Sequence, residues 1–304
     1  MDEPIGHTPV LTRVVRELLA VRPGETVVDA TLGLAGHARL FADAIGETGT
    51  LVGLDADARS IEEARPRLES ASCRVELVQA NFADLAEVLE SLGLNRVDVL
   101  FADLGLNSCQ LDEAERGFSF QSDGPLDMRM SSDQRETASD LVNRLKEREL
   151  ADLLYYNAQE FASRRIARWI CNVRRDGRIT TTARLSEVVC RAVGVDPKSR
   201  RSKIHPATKT FLALRIAVNR ESQCLNALLA AAPALLRPGG RIGVIAFHSG
   251  EDKPVKVDFR ERKKEGVYEI VTKKPVIADA EERRSNPRSR SAKLRVAIRT
   301  EGKI

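Results

Sequence analysis

The sequence predicts an α/β fold: a parallel sheet with helices on both faces, interrupted after its fourth strand by a mainly helical insert. Three observations predict it. Short β-branched runs alternate with helical stripes as far as residue 102, each of these strands leads into an acidic or amide residue, and beyond residue 105 only helical stripes follow until one more strand near residue 241.

The first element is a helix over residues 10–19, where Val10, Val14 and Leu18 lie beside Leu11, Val15 and Leu19. Pro23-Gly24 ends it, and Thr26 to Ala30 reads as a buried strand. After a glycine-containing turn comes a helix from Gly36 to Ile45, then a strand from Gly49 to Leu54 that ends at Asp55. Ile61, Ala64 and Leu68 mark the next helix, which Pro66 should kink or shorten. Arg74 to Val78 is a strand, Phe82, Leu85, Val88, Leu89 and Leu92 mark a helix, and Val97 to Ala102 is a strand that ends at Asp103.

Residues 105–135 are rich in Gly, Ser, Asp and Arg and lack periodicity. Helical stripes follow at Ala162, Ile166, Trp169 and Val173, at Leu185, Val188, Val189 and Ala192, and at Phe211, Leu214 and Val218, with a basic loop from Asp196 to Pro206. A last stripe from Leu225 to Leu236 stops at Pro238-Gly239-Gly240. Arg241 to Phe247 is a strand, a charged helix runs to Lys264, and Tyr268 to Thr272 and Leu294 to Arg299 are closing strands. Ala278 to Ser291 reads as a mobile loop. The expected division is a discontinuous domain of residues 1–106 and 208–304, with an insert of residues 107–207.

Composition narrows the function classes. Hydrophobic residues are 42% and charged residues 30% of 304, which suits a soluble protein with a sizeable core. The five cysteines, Cys73, Cys109, Cys171, Cys190 and Cys224, form no C-x-x-C pair, so reduced thiols are expected and no metal site. The start carries no signal-peptide pattern and no apolar run could span a bilayer, so a cytoplasmic location is expected. Net charge is only +4, but arginines cluster: Arg164, Arg165, Arg168, Arg174, Arg175 and Arg178, then Lys198, Arg200, Arg201 and Lys203, then a tail group from Arg283 to Arg295. Such runs are usually solvated faces; beside a ligand site they favour RNA phosphate. Aromatics are 4%, which argues against an extended stacking platform.

Ligands of doubly wound folds bind at the carboxyl ends of the strands. Four such ends carry fitting groups here: Asp29 to His37 with its small residues, Asp55, which can accept from a ribose diol, Phe82 after Asn81, which can flank an adenine, and Asp103. Gly33, Ala35 and Gly36 miss the G-x-G-x-x-G spacing of a nicotinamide or flavin dinucleotide site. S-adenosylmethionine fits better, since it has no pyrophosphate and its positive charges suit acids such as Asp29 and Asp103.

Several blocks are then similar to the bacterial RsmH (MraW) family. They include His7-Thr8-Pro9-Val10-Leu11, Asp29 to His37, Asp103-Leu104-Gly105, Gln110-Leu111-Asp112, Arg116 to Phe120, Asp123 to Met130, His205 to Phe211, Leu214 to Asn219, Phe247-His248-Ser249 and Asn286 to Arg295. They span essentially the whole chain in order. The resemblance implies a class I S-adenosylmethionine-dependent methyltransferase (Rossmann-like) fold with an inserted helical domain, and methylation of the exocyclic N4 of a cytidine in the decoding region of 16S ribosomal RNA. It implies cofactor contacts from Ala35, Gly36, His37, Asp55, Phe82, Asp103 and Gln110, and substrate contacts from Arg129, His205, Lys209, Asn219 and His248. It implies small-subunit ribosomal RNA, within the assembling subunit, as the partner. The chain departs from the family pattern at Leu34-Ala35, at Asn107-Ser108-Cys109-Gln110 and at Gly250 to Pro254.

A cytosine amine is a poor nucleophile, so an acceptor on its N–H would help methyl transfer, and Asp103 is the candidate catalytic acceptor; the alternative is that Asp103 only binds cofactor. Cytosine C5 methylation by a Cys109 thiolate is one alternative. A binding protein with lost catalysis and a nicotinamide oxidoreductase are others. His7 and His205 could serve only to pin loops, and His37 to organise a helix start.

Overall fold

The structure is a computed structural model that describes residues 8–196 and 205–302. His7, Lys198, Arg200, Arg201 and Lys203 lie outside the described residues. The chain divides into two compact units, residues 1–106 with 222–304, and residues 107–221.

The first unit opens with α1 (Thr12–Leu19), β1 (Thr26–Asp29), α2 (Gly36–Ile45), β2 (Thr50–Asp55), α3 (Ala58–Leu68), β3 (Arg74–Gln79), α4 (Leu85–Ser91) and β4 (Val97–Asp103). The second contains α5 (Ser108–Asp112), α6 (Ala138–Arg144), α7 (Glu147–Ala158), α8 (Ser163–Val173), α9 (Thr182–Val193) and α10 (Thr208–Val218). The chain then completes the first unit with α11 (Glu221–Leu235), β5 (Leu236–Ala246), α12 (Ser249–Lys264), β6 (Tyr268–Ile270), β7 (Val276–Ile277), α13 (Ala280–Ser285) and β8 (Lys293–Arg299).

Among the described residues the sheet has eight strands in the order β3-β2-β1-β4-β5-β8-β6, with β7 also on β8. β1 to β5 run parallel and β8 is antiparallel to its neighbours. Alternate side chains explain the two helical layers. Val27, Leu51, Val99, Phe101 and Ile245 face one core with α1, α2 and α3. Val28, Val52, Leu54, Leu100, Ala102 and Val244 face the other with α4, α11 and α12. No described helix is long and apolar enough to cross a membrane.

The structure corrects several expectations. The insert ends at Glu221 rather than residue 207, so α10 belongs to it. Residues are buried on every side of α10, and α7 helps cover it, with Asn157 Nδ2 donating to the Ala213 carbonyl at 3.0 Å. α6 and α7 add to the predicted stripes, burying Ala138, Leu141 and Val142, and Leu150, Ala151 and Leu154. Pro66 neither breaks nor shortens α3, since it falls in the last turn. Residues 278–291 are not a loose loop. Asp279 caps α13 through Glu281 and Glu282 N–H groups, and Ser289 and Asn286 are buried. Glu282 Oε1 accepts from Leu11 N–H at 2.6 Å and Asn286 Nδ2 donates to the Thr8 carbonyl at 2.9 Å, so polar residues here fasten the start of the chain.

Candidate functional site

The site forms where β1 stops short of its neighbours. Asp29 lies level with Gly53 and Phe101, whereas β2 and β4 continue to Asp55 and Asp103. The loop after β1 leaves through that notch. Ala30 N donates to the Phe101 carbonyl, Leu32 N to the Leu54 carbonyl, and Asp103 N to Thr31 Oγ1 at 2.6 Å. Strand order reverses at this point, with β2 and β3 on one side of β1 and β4 and β5 on the other, which makes it the switch-point crevice of a doubly wound sheet.

Each strand end contributes a polar group. Asp55 accepts from Gly33 N at 2.9 Å and from Asp57 N at 2.9 Å, so one carboxylate holds two turns in place. Ala35 sits at φ 61°, an αL residue that turns the chain into α2. Gly36 starts α2 against Pro9: a Cβ there would lie 2.9 Å from the Pro9 ring. Its small size therefore serves packing against Pro9, besides any approach to a ligand. Phe82 opens a short 3-10 turn after β3, half-buried against the core beneath α4, with Asn81 Oδ1 capping through Ala83 N–H.

His37 is buried under this rim, its ring 4.7 Å from that of Phe101 and 6.4 Å from that of Phe41. Its Nε2 lies 3.6 Å from Asp103 Oδ2, too far for a hydrogen bond, and neither ring nitrogen has a hydrogen-bond partner among the described residues. Asp103 Oδ1 is likewise buried without a partner. Asp29 is fully buried below, and burial pushes its carboxyl up to about 7; the nearby Asp103 and Asp55 add to the rise, and His37 opposes it. Among the described residues neither Asp29 nor Asp103 pairs with a lysine or arginine. The notch is thus an acidic cluster with unspent acceptors, an environment complementary to a cation.

Of the residues expected from sequence, Ala35, Gly36, His37, Asp55, Phe82 and Asp103 are brought together on this sheet edge. Gln110 belongs to the insert and is buried in the capping box of α5, where its N–H donates to Asn107 Oδ1 and its Oε1 accepts from Asn107 N–H. His248 follows β5, beside β4 in the sheet, with its Nε2 3.1 Å from Glu251 Oε1. Glu251, which sequence reasoning missed, is buried and accepts from Phe247 and His248 N–H groups, so it shapes the turn that presents His248. A glutamate three residues after His248, the N-cap of α12, was the available signal.

Three residues expected as substrate contacts are tied into the framework of the insert. Arg129 makes a two-point contact with Asp127 at 2.7 and 2.8 Å and donates to the Gln134 carbonyl. Asn219 is buried and bridges Met128, Met130 and Arg215 backbone. His205 stacks on Phe120 at 4.5 Å beside Cys190, and burial lowers its pKa. Lys209 stays exposed, over the ring of Phe161.

This geometry can be set beside known proteins. Residues 4–300 match the MraW methylase family. The chain is 47% identical to ribosomal RNA small subunit methyltransferase H of Koribacter versatilis over 98% of its length and 95% of that protein. The same named protein of Acidobacterium capsulatum is 47% identical over 96% of this chain and 97% of its own, and that of Sorangium cellulosum 46% over 97% and 91%. With a family match across nearly every residue, the chain belongs to the MraW methylase family.

Proposed function

We propose that the protein uses S-adenosylmethionine to methylate small-subunit ribosomal RNA, and that the acceptor is the exocyclic N4 of a cytidine in the decoding region of the 16S molecule. The observation that carries the reading is the acidic notch at the ends of β1, β2 and β4. Asp29 and Asp103 lack a basic partner there, and His37 and Asp103 keep buried polar atoms unspent. Those features fit a ligand that carries a sulfonium and an ammonium. When bound, that cofactor supplies an electrophilic methyl group.

The chain's residues then divide the work. Asp55 holds ribose hydroxyls, Phe82 flanks the adenine, and Ala35, Gly36, His37 and Asp103 line the charged end. Asp103 Oδ1 accepts the amine N–H of the target base, which raises electron density on the nitrogen. His248 and Lys209 remain available to RNA. The names of the relatives support small-subunit ribosomal RNA as substrate; in this reading the RNA is met in the assembling particle, in the cytoplasm.

The test is a transfer assay with labelled S-adenosylmethionine on undermethylated small subunits, followed by nucleoside mass spectrometry. N4-methylcytidine is the expected product. Asp103→Ala should lower turnover by about 10²-fold or more, while Cys109→Ala should leave it near normal. A 5-methylcytidine product lost in Cys109→Ala would replace N4 chemistry with a thiolate mechanism.

A further inference from the structure

The scarce aromatics argue against an extended stacking platform, but the insert gathers three rings on a single turn. The whole chain has three tyrosines and nine phenylalanines. Tyr155, Tyr156 and Phe161 are gathered around the α7–α8 turn, and Tyr156 and Phe161 are 76% and 80% exposed. Tyr155 packs edge-on against Tyr156 at 5.4 Å and against Phe161 at 6.3 Å. Rings of this size are ordinarily buried, and a cluster of them left in water marks an interaction surface.

The turn that gathers them is built rather than slack. Gln159 adopts φ 50°, in the left-handed region, and closes α7 by donating from its N–H to the Tyr155 carbonyl at 2.8 Å. Glu160 N–H returns to the Leu154 carbonyl, and Glu160 Oε1 accepts from Ala162 N–H. Lys209 Nζ reaches across to the Gln159 carbonyl at 3.0 Å and sits 5.1 Å from the centre of the Phe161 ring. A strained residue held at both sides fixes the rings in advance of a ligand.

Charge identifies the ligand class. Arg164 and Arg165 follow Phe161 in the first turn of α8, are exposed, and pair with no carboxylate among the described residues. The nearby acids are occupied: Asp152 faces Arg148, Glu147 faces Arg168, and Glu160 caps its own turn. Flat apolar faces beside uncompensated guanidinium groups match a chain that is both aromatic and anionic.

We propose that Tyr155, Tyr156 and Phe161, with Arg164, Arg165 and Lys209, form a platform for unpaired RNA nucleotides, on which bases stack and next to which phosphates are neutralised. The proposal rests on RNA being the substrate and assigns the insert surface that holds an unpaired stretch of it. Stacking on rings is indifferent to base identity, so the platform contributes affinity and position rather than sequence choice.

The test titrates the full-length protein with a fluorescent single-stranded oligouridine, with a duplex of equal length, and with a small-subunit ribosomal RNA transcript. Phe161→Ala and Tyr156→Ala should each weaken oligouridine binding about tenfold, with unchanged S-adenosylmethionine affinity, unchanged thermal stability and an unchanged salt slope. Phe161→Trp should retain binding. Arg164→Gln with Arg165→Gln should instead flatten the slope of log affinity against log salt by about 1.4. Parent-like oligouridine binding by both alanine variants overturns the platform while RNA remains the substrate. Failure of the native protein to bind any of these RNAs overturns both readings. Loss of a dimer in the alanine variants, seen by sedimentation with RNA binding intact, would give the face to a second copy of the chain and also overturn the proposal.

Discussion

At the residue scale, the acidic notch is a linkage device. The Asp29 carboxyl moves from an ordinary 3.8 to about 7 on folding because burial penalises its charge. The folded state therefore holds this proton more tightly. That contribution to stability is full below about pH 4 and is lost as pH rises to about 7. The cofactor-free protein should lose thermal stability from about pH 4 to about pH 7, and Asp29→Asn should flatten the profile in melting experiments. A bound cation favours the charged carboxylate, so calorimetry should show S-adenosylmethionine affinity rising with pH, by up to about tenfold per unit below about pH 7. Gly36 makes a second prediction. A methyl group there meets the Pro9 ring at 2.9 Å. Gly36→Ala should cost about 1–3 kcal/mol in denaturant titrations.

At the element scale, the polar tail acts as a fastening. α13 holds the start of α1 through Glu282 Oε1 on Leu11 N–H, and Arg13 meets Asp279 at 3.1 Å. The exposed ion pair adds little, but Leu11 N–H left without its acceptor would cost about 1–3 kcal/mol. Glu282→Ala should raise hydrogen exchange across residues 8–19 and leave the central strands protected. In the insert, α6 begins with a reciprocal cap between Thr137 and Asp140. The Thr137 hydroxyl and N–H hold the Asp140 carboxyl below its usual range, and Arg178 adds to this. Thr137→Ala should destabilise the insert by about 1 kcal/mol, read by urea unfolding.

At the scale of the whole molecule, chemistry and framework are separated along the chain. One unit buries two cores on either face of a sheet and leaves a notch at its carboxyl edge. The other uses Arg129, Asn219 and His205, all expected substrate contacts, to brace its own loops, and leaves rings and arginines outside. The segment from Asp123 to Met130 is a folded loop in which Arg129 pairs with Asp127 and Asp123 accepts from Ala183 N–H.

The sequence by itself determined the alternation of strands and helices up to Asp103, the aspartates at strand ends and the family, because β-branched runs and helical stripes are local signals with one burial pattern each. The tertiary structure alone decided where the insert ends, that residues 278–291 are fastened, and that Asp29 is buried with His37 unpartnered. It alone brought Lys209 to Phe161. Those outcomes depend on contacts between residues tens to hundreds of positions apart, where polar side chains find backbone partners that no local pattern announces.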